Sequence, residues 1–377
     1  MLFKFIQQVM KILYPKKRSF PTGKIGKKIP YQLDRHLFSP CALKVIERLQ
    51  QNGYQAFFVG GCLRDILLGY HPKDFDVVTN ARPDQIARIF SNALIIGRRF
   101  TLVHVRFRNE IVEVATFRRD HKERAEEPST KIIVDDNRYG SLEDDVIRRD
   151  FSMNALYYDP INKMMIDHVG GLSDLKEKTL KTIGDDAIRF SEDPVRMIRA
   201  LRYAAKLNLK LTEQIKAGIL AKGSMVLHVP KARLYEEFLK CFSQQNASTI
   251  LAMMNSLKFS RYLIPKTVIA SGKDKKIGSL LQWMNKQEIL KEHHATLILL
   301  CFIGPLLKNL NETKTYDMVS KVLFDFQKLI LVPKQVEYAI RNIVLNEKTP
   351  ENIRMRIKPI PDIKRLKNLA QELLTKC

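Results

Sequence analysis

The chain has 377 residues with 64 Lys+Arg against 40 Asp+Glu, a formal charge of +24. That length excludes a peptide-sized module and allows two or more domains with substantial cores. The charge calls for a polyanionic partner, nucleic acid first and an anionic membrane surface second. Five scattered cysteines without a C-x-x-C spacing exclude a disulfide framework and indicate the reducing cytoplasm.

In chain order, the first thirty residues contain no acid and interleave Phe3, Phe5, Ile6, Val9, Met10, Ile12 and Leu13 with Lys4 and Lys11. There is no clean apolar core and no small-residue cleavage site, which argues against a secretory signal. The segment reads equally as an unstructured leader, a basic RNA-contacting arm, or an amphipathic helix making weak membrane-surface contact. Ser39-Pro40, then Ala42, Leu43, Val45, Ile46 and Leu49 up to Gly53, predict a capped helix. A strand over Gln55 to Val59, a short helix over Cys62 to Leu68, a strand around Asp74 to Val78 and a helix after Pro83 follow. Thr101 to Phe107 and Ile111 to Phe117, joined by Arg108-Asn109-Glu110, predict a β-hairpin. The charged stretch from Arg118 to Lys131 predicts a mobile loop.

Beyond Leu172 the strand signal nearly vanishes, and residues rich in Leu, Ile, Lys and Glu predict helices to the end. The run Leu297 to Ile303 is too short to span a bilayer and predicts a buried helix. No transmembrane segment is expected. The fold class expected is α+β: a small α/β head with a mixed antiparallel sheet, followed by an all-helical neck and body. Boundaries are placed at 1–38 (basic N-terminal segment), 39–170 (catalytic head), 171–245 (helical neck for base recognition and RNA binding) and 246–377 (helical body with a short basic C-terminal region).

The chemistry concentrates at Val59-Gly60-Gly61-Cys62-Leu63-Arg64-Asp65 and, nine residues on, Asp74-Phe75-Asp76. A glycine pair opening a helix offers bare backbone amides to phosphates. On a strand, Asp74 and Asp76 share one face while Phe75 and Val77 face the core. Carboxylates so placed suit two divalent ions about 4 Å apart for in-line displacement at phosphorus. Oxygen donors and a phosphate substrate favour Mg2+. Arg64, one turn into the helix, can reach a phosphate, or can simply pair with Asp65 or Asp76.

Gly60 to Asp65 and Lys73 to Thr79 together strongly resemble the head motif of the bacterial class II nucleotidyltransferases, the superfamily of the tRNA CCA-adding enzymes and bacterial poly(A) polymerases. The resemblance runs from about Ser39 to Glu237. Arg148-Arg149-Asp150-Phe151-Ser152-Met153-Asn154 resembles the family's R-R-D-F-T-x-N, with Ser152 for threonine. This implies that Arg149 and Asn154 contact the nucleotide and that Asp150 is an active-site carboxylate. Physically, paired arginines suit phosphate forks, and Asp150 and Asn154 could hold ribose hydroxyls. Equally, the arginines could form a salt-bridge cluster with Glu143 and Asp144. Glu113, projecting opposite to Val112 and Val114, is the geometric competitor for third metal-side carboxylate.

Glu192-Asp193-Pro194-Val195-Arg196 predicts a helix start with Asp193 or Ser191 as cap. Arg196, Arg199 and Arg202 recur along one helix face. The segment resembles the family's E-D-x-x-R, in which an aspartate and an arginine pair with the incoming base. A carboxylate accepting from an exocyclic amine and a guanidinium donating to the adjacent ring nitrogen match adenine and cytosine, and reject guanine and uracil. Leu94 to Val105, containing Gly97-Arg98-Arg99-Phe100, is similar to the poly(A) polymerases, whereas CCA-adding enzymes carry G-x-x-x-G-T there. Pro230 to Glu237 matches a neck helix start found in both. The resemblance also implies a long basic C-terminal region, and Ile353 to Lys367 is basic but short, so RNA grip rather than chemistry is expected to differ. His293-His294 has no zinc-ligand spacing.

The expectation is a template-independent adenylyltransferase using ATP and two Mg2+ ions on single-stranded RNA 3′ ends of mRNA or tRNA. The catalytic set is Asp74, Asp76 and Asp150, with Asp74 and Asp76 as metal ligands. The nucleotide-binding set is Gly60, Gly61, Arg64, Arg149, Asn154, Asp193, Arg196, Arg199 and Arg202. A CCA-adding enzyme is the alternative, and a catalytically silent RNA-binding protein the distant one.

Overall fold

A computed structural model of the chain describes residues 27–97, 101–119, 138–346 and 361–377. The readings made on the first 26 residues, on Arg98-Arg99-Phe100, on most of the charged segment after Arg118 and on the basic residues before Pro361 lie outside the described residues. The chain divides into two units, Met1–Asp185 and Asp186–Cys377.

The first unit is built on an eight-stranded mixed sheet. Its strands are β1 (Lys27–Pro30), β2 (Ala56–Val59), β3 (Val77–Thr79), β4 (Ala93–Ile96), β5 (Leu102–Arg106), β6 (Ile111–Thr116), β7 (Leu156–Asp159) and β8 (Met164–Asp167), in the order β1-β8-β7-β2-β3-β6-β5-β4. Only β3 and β6 run parallel. The helices are α1 (Pro40–Gln51), α2 (Gly61–Leu67), α3 (Pro83–Ile89), α4 (Leu142–Arg148) and α5 (Gly171–Lys176).

Ser39 caps α1 as its sequence demands, its Oγ accepting from the amides of Cys41 and Ala42. Alternation gives the sheet two apolar faces. Phe57, Val59, Val78, Tyr157 and Ile166 pack beneath Leu142 and Val146 of α4. On the other face Phe58 and Tyr158 stack on Phe38, centroids 4.5 and 5.5 Å away, and Phe75 packs at 6.0 Å from Phe58.

Four differences separate the fold from the sequence expectation. Residues 27–30, placed in the basic N-terminal segment, form an edge strand on β8, where Lys28 and Pro30 are well tolerated. The β7–β8 hairpin carries no alternation signal because β7 is buried on both faces, so its sequence is continuously apolar and aromatic. The strand expected from Asp74 begins only at Val77, so the aspartates lie on the extended segment that leads into β3. Residues 171–185, assigned to the neck by sequence, fall within the first unit.

Among its described residues the second unit is helical apart from turns and the two-residue strand Lys210–Leu211. It contains α6 (Asp186–Glu192), α7 (Val195–Leu207), α8 (Glu213–Lys222), α9 (Lys231–Phe242), α10 (Ala247–Ser256), α11 (Lys266–Ile269), α12 (Asp274–Met284), α13 (His294–Leu307), α14 (Glu312–Leu329), α15 (Lys334–Leu345) and α16 (Ile363–Thr375). Leu297 to Ile303 in α13 are fully buried, as their unbroken apolar run requires. Phe302 meets Phe242 edge-on at 5.2 Å and Phe326 at 6.0 Å. Among the described residues no helix is long and apolar enough to cross a membrane.

Candidate active site

In the first unit the site grows from the turn between β2 and α2. Gly60 stands at φ 74°, ψ −122°, a backbone region that residues with a Cβ rarely adopt. Its amide donates to the Leu156 carbonyl at 3.2 Å, fixing the turn against β7. A Cβ at Gly60 would lie 3.4 Å from Arg149 Nη1, so the glycine lets this guanidinium approach the turn.

Beside the turn, the Val59 amide donates to the Asp76 carbonyl at 3.2 Å, so Asp76 adjoins the glycine turn although β3 proper starts one residue later. The parallel register Val77↔Val114, carried one residue back, sets Asp76 beside Glu113 on one face, with Asp74 two residues away on the same side. Antiparallel pairing then sets His104 opposite Glu113, with Nε2 3.4 Å from Oε1. Asp74, Asp76 and Glu113 are all exposed, whereas Phe75 between the aspartates is turned into the apolar stack.

The electrostatics show the crowding of like charge. The Asp76 carboxyl is pushed above the ordinary aspartate value by burial of its surroundings, then by Glu113 and Asp74, against which Arg149 pulls it down. Although Asp76 itself is solvent-accessible, these neighbours crowd one side of it. Among the described residues no three His, Cys, Asp or Glu side chains converge to hold a metal by themselves. An oxygen donor set whose mutual repulsion raises a carboxyl is one that a divalent cation relieves, so these residues fit Mg2+.

Behind the carboxylates lies a buried network that ties the arginines down. Arg64 Nε and Nη2 donate to Asp65 Oδ1 at 2.8 and 2.6 Å, and Nη1 donates to Asn154 Oδ1 at 2.8 Å. Of the two pairings considered for Arg64, that with Asp65 is realised. Asn154 Nδ2 donates to Asp150 Oδ1 at 3.1 Å, which also accepts the Phe151 amide at 2.8 Å. Asp150 is thus buried and holds the turn over residues 151–154.

The arginine pair does not bridge to Glu143 and Asp144 as the alternative reading had it. Arg148 and Arg149 instead converge on Asp145, three and four residues earlier, which is fully buried. Asp144, one residue earlier, faces another side of the helix and is spent on capping, accepting from the Ser141 amide and from Arg119. Tyr157 donates to Asp145 Oδ2 at 2.7 Å. The sequence reading overlooked both residues. The acid-to-arginine i,i+3 and i,i+4 spacing of Asp145 could have revealed it, whereas Tyr157 is legible only once β7 is known.

In the second unit Asp193 links α6 to α7. Neither expected residue is the cap, because α7 starts at Val195 with Pro194 before it; Asp193 Oδ1 accepts the Val195 amide at 3.2 Å from one residue further back, and Ser191 Oγ donates to the Ala187 carbonyl within α6. Asp193 Oδ2 accepts from Arg233 Nη2 at 2.8 Å. Arg196 Nη1 donates to the Arg189 carbonyl at 3.1 Å and to Glu192 Oε2 at 3.3 Å. Further along α7, Arg202 lies over the Tyr203 ring at 4.5 Å and 3.6 Å from Glu237, with Arg199 5.9 Å from the same ring.

A glycine turn opening a helix, a row of carboxylates at β3 and β6 and a mixed sheet define the head of a nucleotidyltransferase. Residues 56–181 match the family model described as the Poly A polymerase head domain, and residues 208–269 match that of a probable RNA and SrmB-binding site of polymerase A. The head therefore belongs to the poly A polymerase head-domain family. The chain is 46% identical over 209 residues to "Poly(A) polymerase I" of Haemophilus influenzae, covering 54% of this chain and 46% of that protein. It is 43% identical over 242 residues to the Salmonella typhi protein of the same name, covering 62% of this chain and 52% of that one. A "CCA-adding enzyme" of Geobacillus sp. is 36% identical over 223 residues, covering 59% and 54%. The chain spans about half the length of these curated relatives. Among solved structures, the Bacillus stearothermophilus CCA-adding enzyme in complex with CTP superposes with a TM-score of 0.65 at 24% identity, over 90% of this chain and 80% of that one. This likeness establishes the nucleotidyltransferase fold.

Proposed function

We propose that the chain is a polynucleotide adenylyltransferase that transfers AMP from ATP to the 3′ hydroxyl of single-stranded RNA, lengthening the 3′ ends of mRNA and feeding RNA processing and decay. The observation that carries this reading is the carboxylate row beside the Gly60 turn, in a head of the poly A polymerase family. In the transfer, the RNA 3′ oxygen bonds to the α-phosphorus, the bond from that phosphorus to the bridging oxygen breaks, pyrophosphate leaves and the 3′ hydroxyl proton passes to solvent.

Asp74 and Asp76 would hold the two Mg2+ ions, with Glu113 favoured as the third carboxylate by its register with Asp76. Bound there, the ions supply an acidified attacking hydroxyl and charge neutralisation at the leaving group. Asp150 serves instead through Asn154 and the turn over 151–154. The turn would meet the triphosphate with the first amides of α2, the Gly60 amide being bonded to the Leu156 carbonyl, and Arg149 and Arg64 supply fixed positive charge behind it. Asp193 and Arg196 read the Watson–Crick edge of adenine, with Asp193 held in place by Arg233. Arg199 and Arg202, beside Tyr203 on α7, would add positive charge for the nucleotide.

The similarity to CCA-adding enzymes supports a second reading with the same active site, in which CTP is also accepted and tRNA is the primer. Incubation with each labelled NTP and Mg2+, on oligo(A) and on tRNA lacking its terminal CCA, separates them. Repetitive ATP incorporation supports polyadenylation, whereas ordered CC then A addition supports the second reading. We place the activity in the cytoplasm, on the reduced cysteines and the RNA substrate.

A further inference from the structure

We propose that Asp145, seconded by Tyr157, is a positioning residue for nucleotide binding, acting through Arg149. This rests on the reading of the head as a nucleotide-binding centre.

Asp145 is fully buried in the first turn of α4, a place where an unpaired carboxylate would be strongly disfavoured. It is instead saturated. Oδ1 accepts Arg148 Nε and Nη2 at 2.8 and 2.5 Å and the Arg118 amide at 3.3 Å. Oδ2 accepts Arg149 Nε and Nη2 at 3.1 and 2.9 Å and the Tyr157 hydroxyl at 2.7 Å. Burial would raise its carboxyl, but the charges of Arg149 and Arg148 and the Tyr157 bond outweigh burial and hold it below the ordinary value.

The consequence falls on Arg149. Its Nε also donates to Tyr157 Oη at 2.9 Å, and its guanidinium lies 5.2 Å from the Tyr157 ring. Nη1 reaches the Asn154 carbonyl at 3.2 Å and would lie 3.4 Å from a Cβ at Gly60. A long flexible cation is therefore fixed in a single pose between the glycine turn and the metal-side carboxylates. Arginine suits this because its planar guanidinium can be clamped at Nε and Nη2 while Nη1 holds its charge against the turn. The anchor lies on a helix and the tyrosine on a central strand, so the pose exists before nucleotide arrives.

The test is ATP affinity of the full chain, measured by equilibrium binding with Mg2+ and thus independent of turnover. Asp145→Asn is expected to weaken ATP binding about tenfold, and Tyr157→Phe, which removes one hydroxyl and leaves the charges in place, about threefold. In an Arg149→Lys background, neither substitution should weaken binding further. If Asp145→Asn does not fold, Tyr157→Phe and its cycle with Arg149→Lys carry the test alone. Unchanged affinity in the folded variants, or an equal loss with and without Arg149→Lys, would overturn the assignment. Failure of the wild-type chain to transfer AMP while binding ATP would sink the adenylyltransferase reading but leave this one standing.

Discussion

Replacing Gly60 with alanine isolates the contribution of the glycine turn. At φ 74° the added Cβ forces a backbone region that costs about 1–3 kcal/mol for a residue other than glycine. Its nearest neighbours, Arg149 Nη1 at 3.4 Å and the Asn154 carbonyl at 3.5 Å, are at ordinary contact, so strain rather than collision sets the magnitude. For a unit of this size each kcal/mol is worth about 2–4 °C of melting temperature. A fall of roughly 2–12 °C is therefore expected in calorimetry. Gly53, at φ 81° with nothing within 4 Å of its Cβ position, provides the control. Gly53→Ala should lower the melting temperature similarly, yet leave the KM for ATP untouched, while Gly60→Ala raises it. If Gly60→Ala melts like wild type and binds ATP like wild type, the turn is neither strained nor part of the nucleotide site.

Three further outcomes follow from the site. Because the folded-state carboxyl of Asp76 is raised, ionising it disfavours the folded state: its stabilising effect is present at low pH and is lost as pH rises through the carboxylate range. Asp76→Asn should therefore stabilise the metal-free protein at neutral pH and not at acid pH in thermal melts, while lowering AMP transfer by at least about 10²–10³-fold. Substituting alanine for Asp193 or Arg196 should reduce the preference for ATP over GTP by about 10–100-fold in competition assays, the equivalent of one good bidentate base contact. The Cys62 and Cys241 thiols are pushed up to about 12 by burial, so iodoacetamide at pH 8 should spare both in the native protein and modify them on unfolding.

The motifs from which the site is proposed are written locally. The Gly60-Gly61 turn and the i,i+2 aspartates are each a few residues long, and the turn's backbone geometry follows from its glycines directly. The buried helix at Leu297 to Ile303 was legible for the same reason. What was hidden depends on pairing across the sheet. The adjacency of Glu113 to Asp76 needs the parallel register of β3 and β6, which no local pattern encodes. Tyr157 enters the site because β7 lies beside β2, and β7 itself was masked by burial on both faces. The preference of Arg148 and Arg149 for Asp145 over its two acidic neighbours is a matter of helical phase. Asp144 faces the N-terminal cap, whereas Asp145 points inward beneath the sheet-facing side of α4.

The most direct test of the central claim is incorporation of each labelled nucleotide into oligo(A) and into tRNA lacking CCA, with Mg2+ and with chelator, for wild type and Asp76→Ala. The adenylyltransferase reading expects repetitive, Mg2+-dependent incorporation of ATP into oligo(A), exclusion of GTP and UTP, and loss of activity in Asp76→Ala. Wild-type rates in Asp76→Ala, or efficient ordered CC then A addition to tRNA in place of tailing, would contradict it.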